Sequence, residues 1–312
     1  MLGLLYLSTS IYCQNSVLGT SFDCEIVGIK AKLHFPRYHT PKDADSAAGC
    51  GNPLLPPKVG ATFRRGDEPL DWGYPINYPA GDSCVKALVI TVDCQKAQAM
   101  DLAKAIYESI RKWEHAFIDY LSLEARSSVE RDNYISRKDC CLELFEEVYI
   151  PESRMFSVRG GIFRTSSSCA TKENIRNAIA FANTGKELRE EYNMLLSSYD
   201  AKHNDQNRLA ILDACSAMEL ALNEQIRQYC QAKDVDPDIL FDKYRYLKDK
   251  FELLIKLGIS LPDKKYEKWI VNPRNAVMHN RDIYPSDETT SQLIVCVEKY
   301  LKTFYMDYYE KE

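Results

Sequence analysis

The chain has 312 residues, 45% of them hydrophobic, and sets 40 Lys and Arg against 45 Asp and Glu for a formal net charge of −5. That is enough apolar material for two domain cores, and the acidic balance excludes a broadly basic surface that coats nucleic acid. Any RNA binding has to be local, in a cleft lined by a few arginines. Eleven cysteines occur with no Cys-x-x-Cys pair. Neither a zinc knuckle nor a thioredoxin-type motif is therefore expected, and the odd count suits reduced, mostly buried thiols in a cytoplasmic protein.

The elements, taken in chain order, predict an α+β N-terminal domain over 1–163, a linker over 164–171 and an all-α domain over 172–312. The opening Met1–Cys13 is apolar but has no basic flank and is short for a span, so a buried first strand is expected rather than a signal peptide. No other stretch approaches a transmembrane helix, and no membrane association is expected. Lys30-Ala31-Lys32-Leu33-His34-Phe35 continues an alternation from Ile29 and reads as a half-buried strand; Ala87–Val92 is a more fully apolar one. Between them, residues 36–85 hold eight of the thirteen prolines, with Trp72, Tyr74 and Tyr78 around Arg64-Arg65. A segment of this kind either grips a base or a peptide or covers a sheet edge. A long helix is predicted from about 96 to 123, then strands over 142–150 and 156–163. Arg164–Ser168 has linker composition. This first half fits a sensor or substrate-recognition role, with a trigger ligand or protein as its partner.

From Lys172 onward helical periodicity dominates. Helices are expected over 172–198, with a break at Gly185, and over 205–232, where Leu209, Leu212, Cys215, Leu222 and Ile226 form one stripe. Asp236-Pro237 caps and opens a helix over 238–257 that Gly258 ends. The stretch 265–282 is next, and Ser286 caps a final helix to about 309. Glu219 falls seven residues after Leu212 and seven before Ile226, on the buried stripe of its helix. A carboxylate there needs a partner: a salt bridge with a nearby cation, or Arg274 or His279 across the bundle. Asp213 points away from that stripe.

The chemistry concentrates in Val271-Asn272-Pro273-Arg274-Asn275-Ala276-Val277-Met278-His279. Asn272 reads as an N-cap and Pro273 as the first helical residue. Asn275 and His279 then share a face at i, i+4, and the long Arg274 side chain can swing toward it. A guanidinium suits a phosphate and an imidazole suits proton transfer. The other histidines, 34, 39, 115 and 203, read as surface or packing residues.

The Arg-Asn-x-x-x-His run just before a final long helix, together with the segment 210–222 (AILDACSAMELAL), resembles the HEPN superfamily of all-α domains, and within it the ApeA-like phage-defence ribonucleases. The likeness covers the C-terminal 45% of the chain; no family is recognised for residues 1–163. It implies a metal-independent endoribonuclease that leaves a 2′,3′-cyclic phosphate and a 5′-hydroxyl. His279 would transfer the proton, Arg274 would stabilise charge on the phosphate, Asn275 would orient the histidine or the phosphate, and Glu219 matches an acidic residue common in that helix. It also implies no cofactor and no metal, RNA as substrate, and a homodimer that brings two motifs to one cleft. The aromatic-rich end of the last helix (Phe304, Tyr305, Tyr308, Tyr309) suits such a partner surface. The competing class is a non-catalytic module that dimerises or holds RNA or a nucleotide.

Overall fold

The computed structural model describes residues 2–38, 54–60, 63–65, 68–77, 81–94, 98–125, 143–144, 148–149, 169–279 and 284–305. The chain divides into two compact units, Met1–Lys186 and Glu187–Glu312. The division lies past the expected linker at 164–171, because the helix at 172 packs with the first unit.

The first unit is built on an antiparallel sheet. Its strands are β1 (Leu2–Gln14), β2 (Ser21–Ile26), β3 (Ile29–His34), β4 (Phe63–Arg65), β5 (Glu68–Pro69), β6 (Gly73–Asn77) and β7 (Asp82–Thr91). After helix α1 (Ala99–Ala125) come the short β8 (Glu143–Leu144) and β9 (Val148–Tyr149), then α2 (Lys172–Asn183). The main sheet runs β2-β3-β7-β1-β8 with β6 also on β7, while β5-β4-β9 form a second small sheet. The expected first strand is β1, with Leu4, Leu5, Leu7, Ile11 and Cys13 buried. It pairs along most of its length with β7, whose Val85 and Ala87–Ile90 run is buried almost throughout. Alternation in β2 and β3 is the half-buried kind, so Lys32 and His34 face outward while Ala31 and Leu33 face the core. Gly73 is obligatory where β6 meets β7: its φ is +105°, and a Cβ there would lie 1.9 Å from the carbonyl oxygen of Cys84.

Helix α1 buries Ile106, Ile110, Trp113, Phe117 and Leu121, a stripe at three- and four-residue spacing. Helix α2 starts with a capping box between Thr171 and Asn174. It is fastened to this unit by Tyr120 stacked on Phe181 at 4.8 Å. The Asn183 amide oxygen accepts from Trp113 Nε1 at 3.1 Å and from the Glu25 backbone at 3.0 Å. The predicted strand at 156–163 and the linker Arg164–Ser168 lie outside the described residues, as does most of the predicted strand at 142–150.

The second unit is helical: α3 (Glu190–His203), α4 (Asn207–Lys233), α5 (Pro237–Lys243), α6 (Leu247–Lys256), α7 (Asn272–His279) and α8 (Asp287–Phe304). The expected break at Gly185, φ +68°, separates α2 from α3. Asp236 caps α5 by accepting from the Asp238 backbone at 3.0 Å. The single helix expected over 238–257 is instead two. Among its residues α5 buries none, whereas α6 buries Leu247, Lys250, Phe251, Leu253 and Leu254. The chain therefore bends at Tyr244–Tyr246 to lay only its second half on the core. Phe251 stacks on Tyr266 at 4.5 Å and meets the Tyr300 edge at 5.5 Å. No described helix is long and apolar enough to cross a membrane.

Two expectations about surfaces change. Leu209, placed on the buried stripe of α4, is 45% exposed; Cys215, Leu222 and Ile226 of that stripe are buried, joined by Ala210, Ala214 and Met218. Tyr305, expected to be exposed for a partner, is buried in its own unit. Its hydroxyl donates to Glu191 at 2.7 Å, and the Arg189 guanidinium lies 3.9 Å above its ring. Phe304 is half-buried with its ring 5.9 Å from Tyr300. Tyr308 and Tyr309 lie outside the described residues.

Candidate active site

The motif helix begins earlier than its sequence suggests. Asn272 does not cap α7, because its φ of −65° and ψ of −47° are already helical. A π-helical turn over Glu267–Val271 runs straight into it, closed by the Asn272 N–H donating to the Glu267 carbonyl five residues back. The cause is twofold. Ile270 and Val271 are buried and hold the preceding turn in the bundle. Pro273 then sits inside a helix, where it lacks an N–H and crowds the carbonyl four residues earlier. The wider turn in front of it relieves that clash without ending the helix.

Past the proline, α7 is an exposed helix anchored on one side. Only Val277 is fully buried. At its C-terminal end the backbone carbonyls lack partners within the helix, and Arg208 of α4 supplies one, donating Nη2 to the Val277 carbonyl at 2.7 Å. This contact fixes the last turn, which carries His279, against α4. Nothing in the spacing of Arg208 announces it, since the bond depends on how two helices 69 residues apart pack.

Arg274 is half-buried, and its Nη1 donates to the Asn275 Oδ1 at 3.3 Å; Asn275 and His279 are exposed. The three residues thus stand on two turns of one helix, with the amide oxygen engaged by the guanidinium and the imidazole open to solvent. Arg274 also approaches α4. Burial pushes the Cys215 thiol up to about 12, opposed by the Arg274 charge and reinforced by that of Glu219. Arg274 and Glu219 therefore act on the same buried thiol. A guanidinium and an accessible imidazole of this kind suit an oligoanion whose chemistry needs a proton moved.

Glu219 is paired elsewhere. Its Oε1 accepts from Lys250 of α6 at 2.5 Å, with the lysine side chain 7% exposed and the carboxylate 36%. The cross-bundle partner is Lys250 rather than Arg274 or His279, and the pair ties α4 to α6. Lys250 had a readable signal. It sits with Leu247, Phe251 and Leu254 at helical spacing, a cation on an apolar stripe that matches the carboxylate on the facing one.

Among the described residues no group of three His, Cys, Asp or Glu side chains stands in a geometry that would hold a metal. No protein-family model matches the chain, and no curated protein or solved structure matches it either.

The Glu219–Lys250 geometry makes a stability prediction. Glu219→Ala leaves a buried ammonium without its carboxylate and should cost about 1–3 kcal/mol, reduced from a fully buried pair because Glu219 is partly solvated. Adding Lys250→Met should recover most of that loss, read as the denaturant midpoint of far-UV dichroism. A Glu219→Ala protein of unchanged stability would assign the carboxylate to something other than holding these helices.

Proposed function

We propose that the helical unit is a HEPN-like, metal-independent endoribonuclease acting in prokaryotic anti-phage defence or as a toxin effector. The observation that carries this reading is the motif's placement. Arg274 and Asn275 are joined by a hydrogen bond, with an accessible His279 one turn beyond, on a helix held to α4. The resemblance of 210–222 and 269–280 to the two signature segments of that superfamily supplies the reaction.

The 2′-hydroxyl of RNA attacks the adjacent phosphorus, so the O2′–P bond forms as the P–O5′ bond breaks. His279 accepts the 2′ proton or returns one to the leaving 5′ oxygen, and Arg274 balances the charge that builds on the equatorial oxygens. Asn275 orients the guanidinium. Glu219, bound to Lys250, positions the helix behind Arg274 and does not touch the reacting atoms. The acidic protein meets RNA through a local cation, Arg274, rather than through its net charge.

One motif offers one imidazole for two proton transfers. A two-fold dimer that brings two copies of α7 to one cleft supplies the second. Leu209 and Met278, each adjacent in sequence to one end of the Arg208–Val277 bond, are 45% and 50% exposed, and this apolar surface beside the motif suits a second copy.

Purified protein incubated with total RNA in EDTA should cleave it. Arg274→Ala and His279→Ala should lower the rate by about 100-fold or more while leaving the dichroism spectrum unchanged, because both side chains lie on an exposed helix. Near-normal cleavage by either variant, or activity that returns only with added magnesium or zinc, would contradict the mechanism.

Light scattering at micromolar concentration should give about twice the 35.8 kDa chain mass. Leu209→Glu/Met278→Glu should yield monomers that have lost cleavage. A monomeric wild type that still cleaves would overturn the shared cleft.

A further inference from the structure

The three tryptophans of the chain divide by environment. Trp72 and Trp113 belong to the core of the first unit, 2% and 5% exposed. Trp269 is only half-buried and lies in the π turn that feeds the motif helix. A large ring left partly in water beside a candidate site invites a ligand with a flat apolar face.

The turn that carries this ring is held from several sides. Ile270 and Val271 are buried, and Tyr266 stacks on Phe251 at 4.5 Å. The Asp263 carboxylate accepts from the Lys265 backbone at 2.7 Å, and the Glu267 carboxylate accepts from Lys248 at 2.6 Å. Both acids of the segment are thereby engaged, and its lysines are not. Lys264, Lys265 and Lys268 are exposed, and among the described residues none of them makes an ion pair. The Lys268 ammonium lies 4.2 Å from the centre of the Trp269 ring. At a solvated site such a contact is weak, so the lysine can turn to a phosphate as a base reaches the ring.

The π turn sets the ring against the motif. The Trp269 N–H donates to the Lys265 carbonyl at 3.1 Å, which puts Lys265 one turn before Trp269. The Glu267–Val271 turn closes five residues back rather than four, so Trp269 in turn stands one turn before Pro273 and Arg274. That separation is about 5 Å along the axis. Lys268 stands likewise before Asn272, and Asn275 and His279 continue the exposed side. This side carries two lysines, two amides and an imidazole, with no carboxylate among them. A guanidinium that balances one phosphate, a ring one turn away and two lysines beside the ring match a nucleotide chain, with a base on the ring and phosphates on the cations.

We infer that Trp269, with Lys265 and Lys268, forms a subsite that stacks an unpaired base next to the phosphate held by Arg274. The subsite rests on the ribonuclease reading for the identity of the strand, and it acts in binding, without touching the reacting atoms.

The test is binding of a short labelled oligothymidylate to the full chain. This strand lacks the 2′-hydroxyl and resists the proposed chemistry, so affinity is read apart from cleavage. Anisotropy reports the affinity, and tryptophan emission reports the ring, since the other two tryptophans are buried. Wild type should bind with its emission quenched. Trp269→Leu, which keeps an apolar side chain for the helix, should weaken binding about tenfold or more, and so should Lys265→Glu/Lys268→Glu at two exposed positions. Trp269→Phe, which keeps an aromatic face, should bind more tightly than Trp269→Leu, and its remaining emission should not respond to the strand. Lys32→Glu, the same charge change in the first unit, should bind as wild type does. Failure to bind, unchanged wild-type emission on binding, an affinity within about twofold of wild type in Trp269→Leu or in the double-lysine variant, equal affinity in the Phe and Leu variants, or an equal loss in Lys32→Glu would each overturn the subsite. A protein that binds the strand through Trp269 but leaves RNA whole would support the subsite and contradict the reaction. One that cuts RNA while both variants keep full affinity would overturn the subsite alone.

Discussion

A proline inside a helix sets the geometry of the second unit. Pro273 can neither donate a hydrogen bond nor tolerate the carbonyl that a regular α-helix would place against its ring. The preceding Glu267–Val271 segment is pinned by buried Ile270 and Val271 and cannot simply unwind. The π turn satisfies both demands. It keeps the backbone bonded through Asn272, keeps the apolar residues buried, and delivers Arg274, Asn275 and His279 on a continuous helix. An inserted residue shifts helical phase by about 100°. Faces deduced by carrying a 3.6-residue period through the proline are therefore misassigned, whereas faces counted from Pro273 onward hold.

The motif helix has little core of its own, so its position depends on α4. Arg208 of that helix secures its end through a backbone carbonyl. Helix α4 is secured in turn to α6 by Glu219 and Lys250. Each of these contacts sets a charged group against something that balances it: a helix C-terminus for Arg208, a carboxylate for Lys250. A desolvated cation without such a partner would cost several kcal/mol. The result is a bundle whose polar ties lie near the motif, while aromatic packing of Phe251, Tyr266 and Tyr300 fills another part of its interior.

Much of the fold class was readable because it rests on local pattern. Alternation in Ile29–His34 and the apolar run in Asp82–Thr91 gave strands, and the stripe in Ala99–Ala125 gave a helix. Capping by Asp236 and Ser286 placed two helix starts. The failures share a cause: they depend on packing between segments. The helix at 172–183 joins the sheet unit because of Phe181 and Asn183, which no local signal connects to Tyr120, Trp113 or Glu25. The split between α5 and α6 reflects which half finds a core. Tyr305 is buried because Glu191 and Arg189 meet it from the other end of the bundle's sequence. At the candidate site, Arg274, Asn275 and His279 were legible as a motif and Glu219 as a carboxylate in need of a partner, although it is only partly buried. Its partner Lys250 was legible only as another such charge, and Arg208 not at all.

The central claim is that α7 cuts RNA by using the ribose 2′-hydroxyl as the nucleophile, and the chemistry of the ends tests it most directly. After the cut position in a synthetic RNA is mapped, the same oligonucleotide is prepared with a single 2′-deoxy residue on the 5′ side of that bond. The all-ribose strand should give a 3′ terminus that resists phosphatase until acid opens the cyclic phosphate, and the substituted strand should remain whole at that position. Cleavage at the deoxy residue, or products ending in a 3′-hydroxyl, would contradict the account.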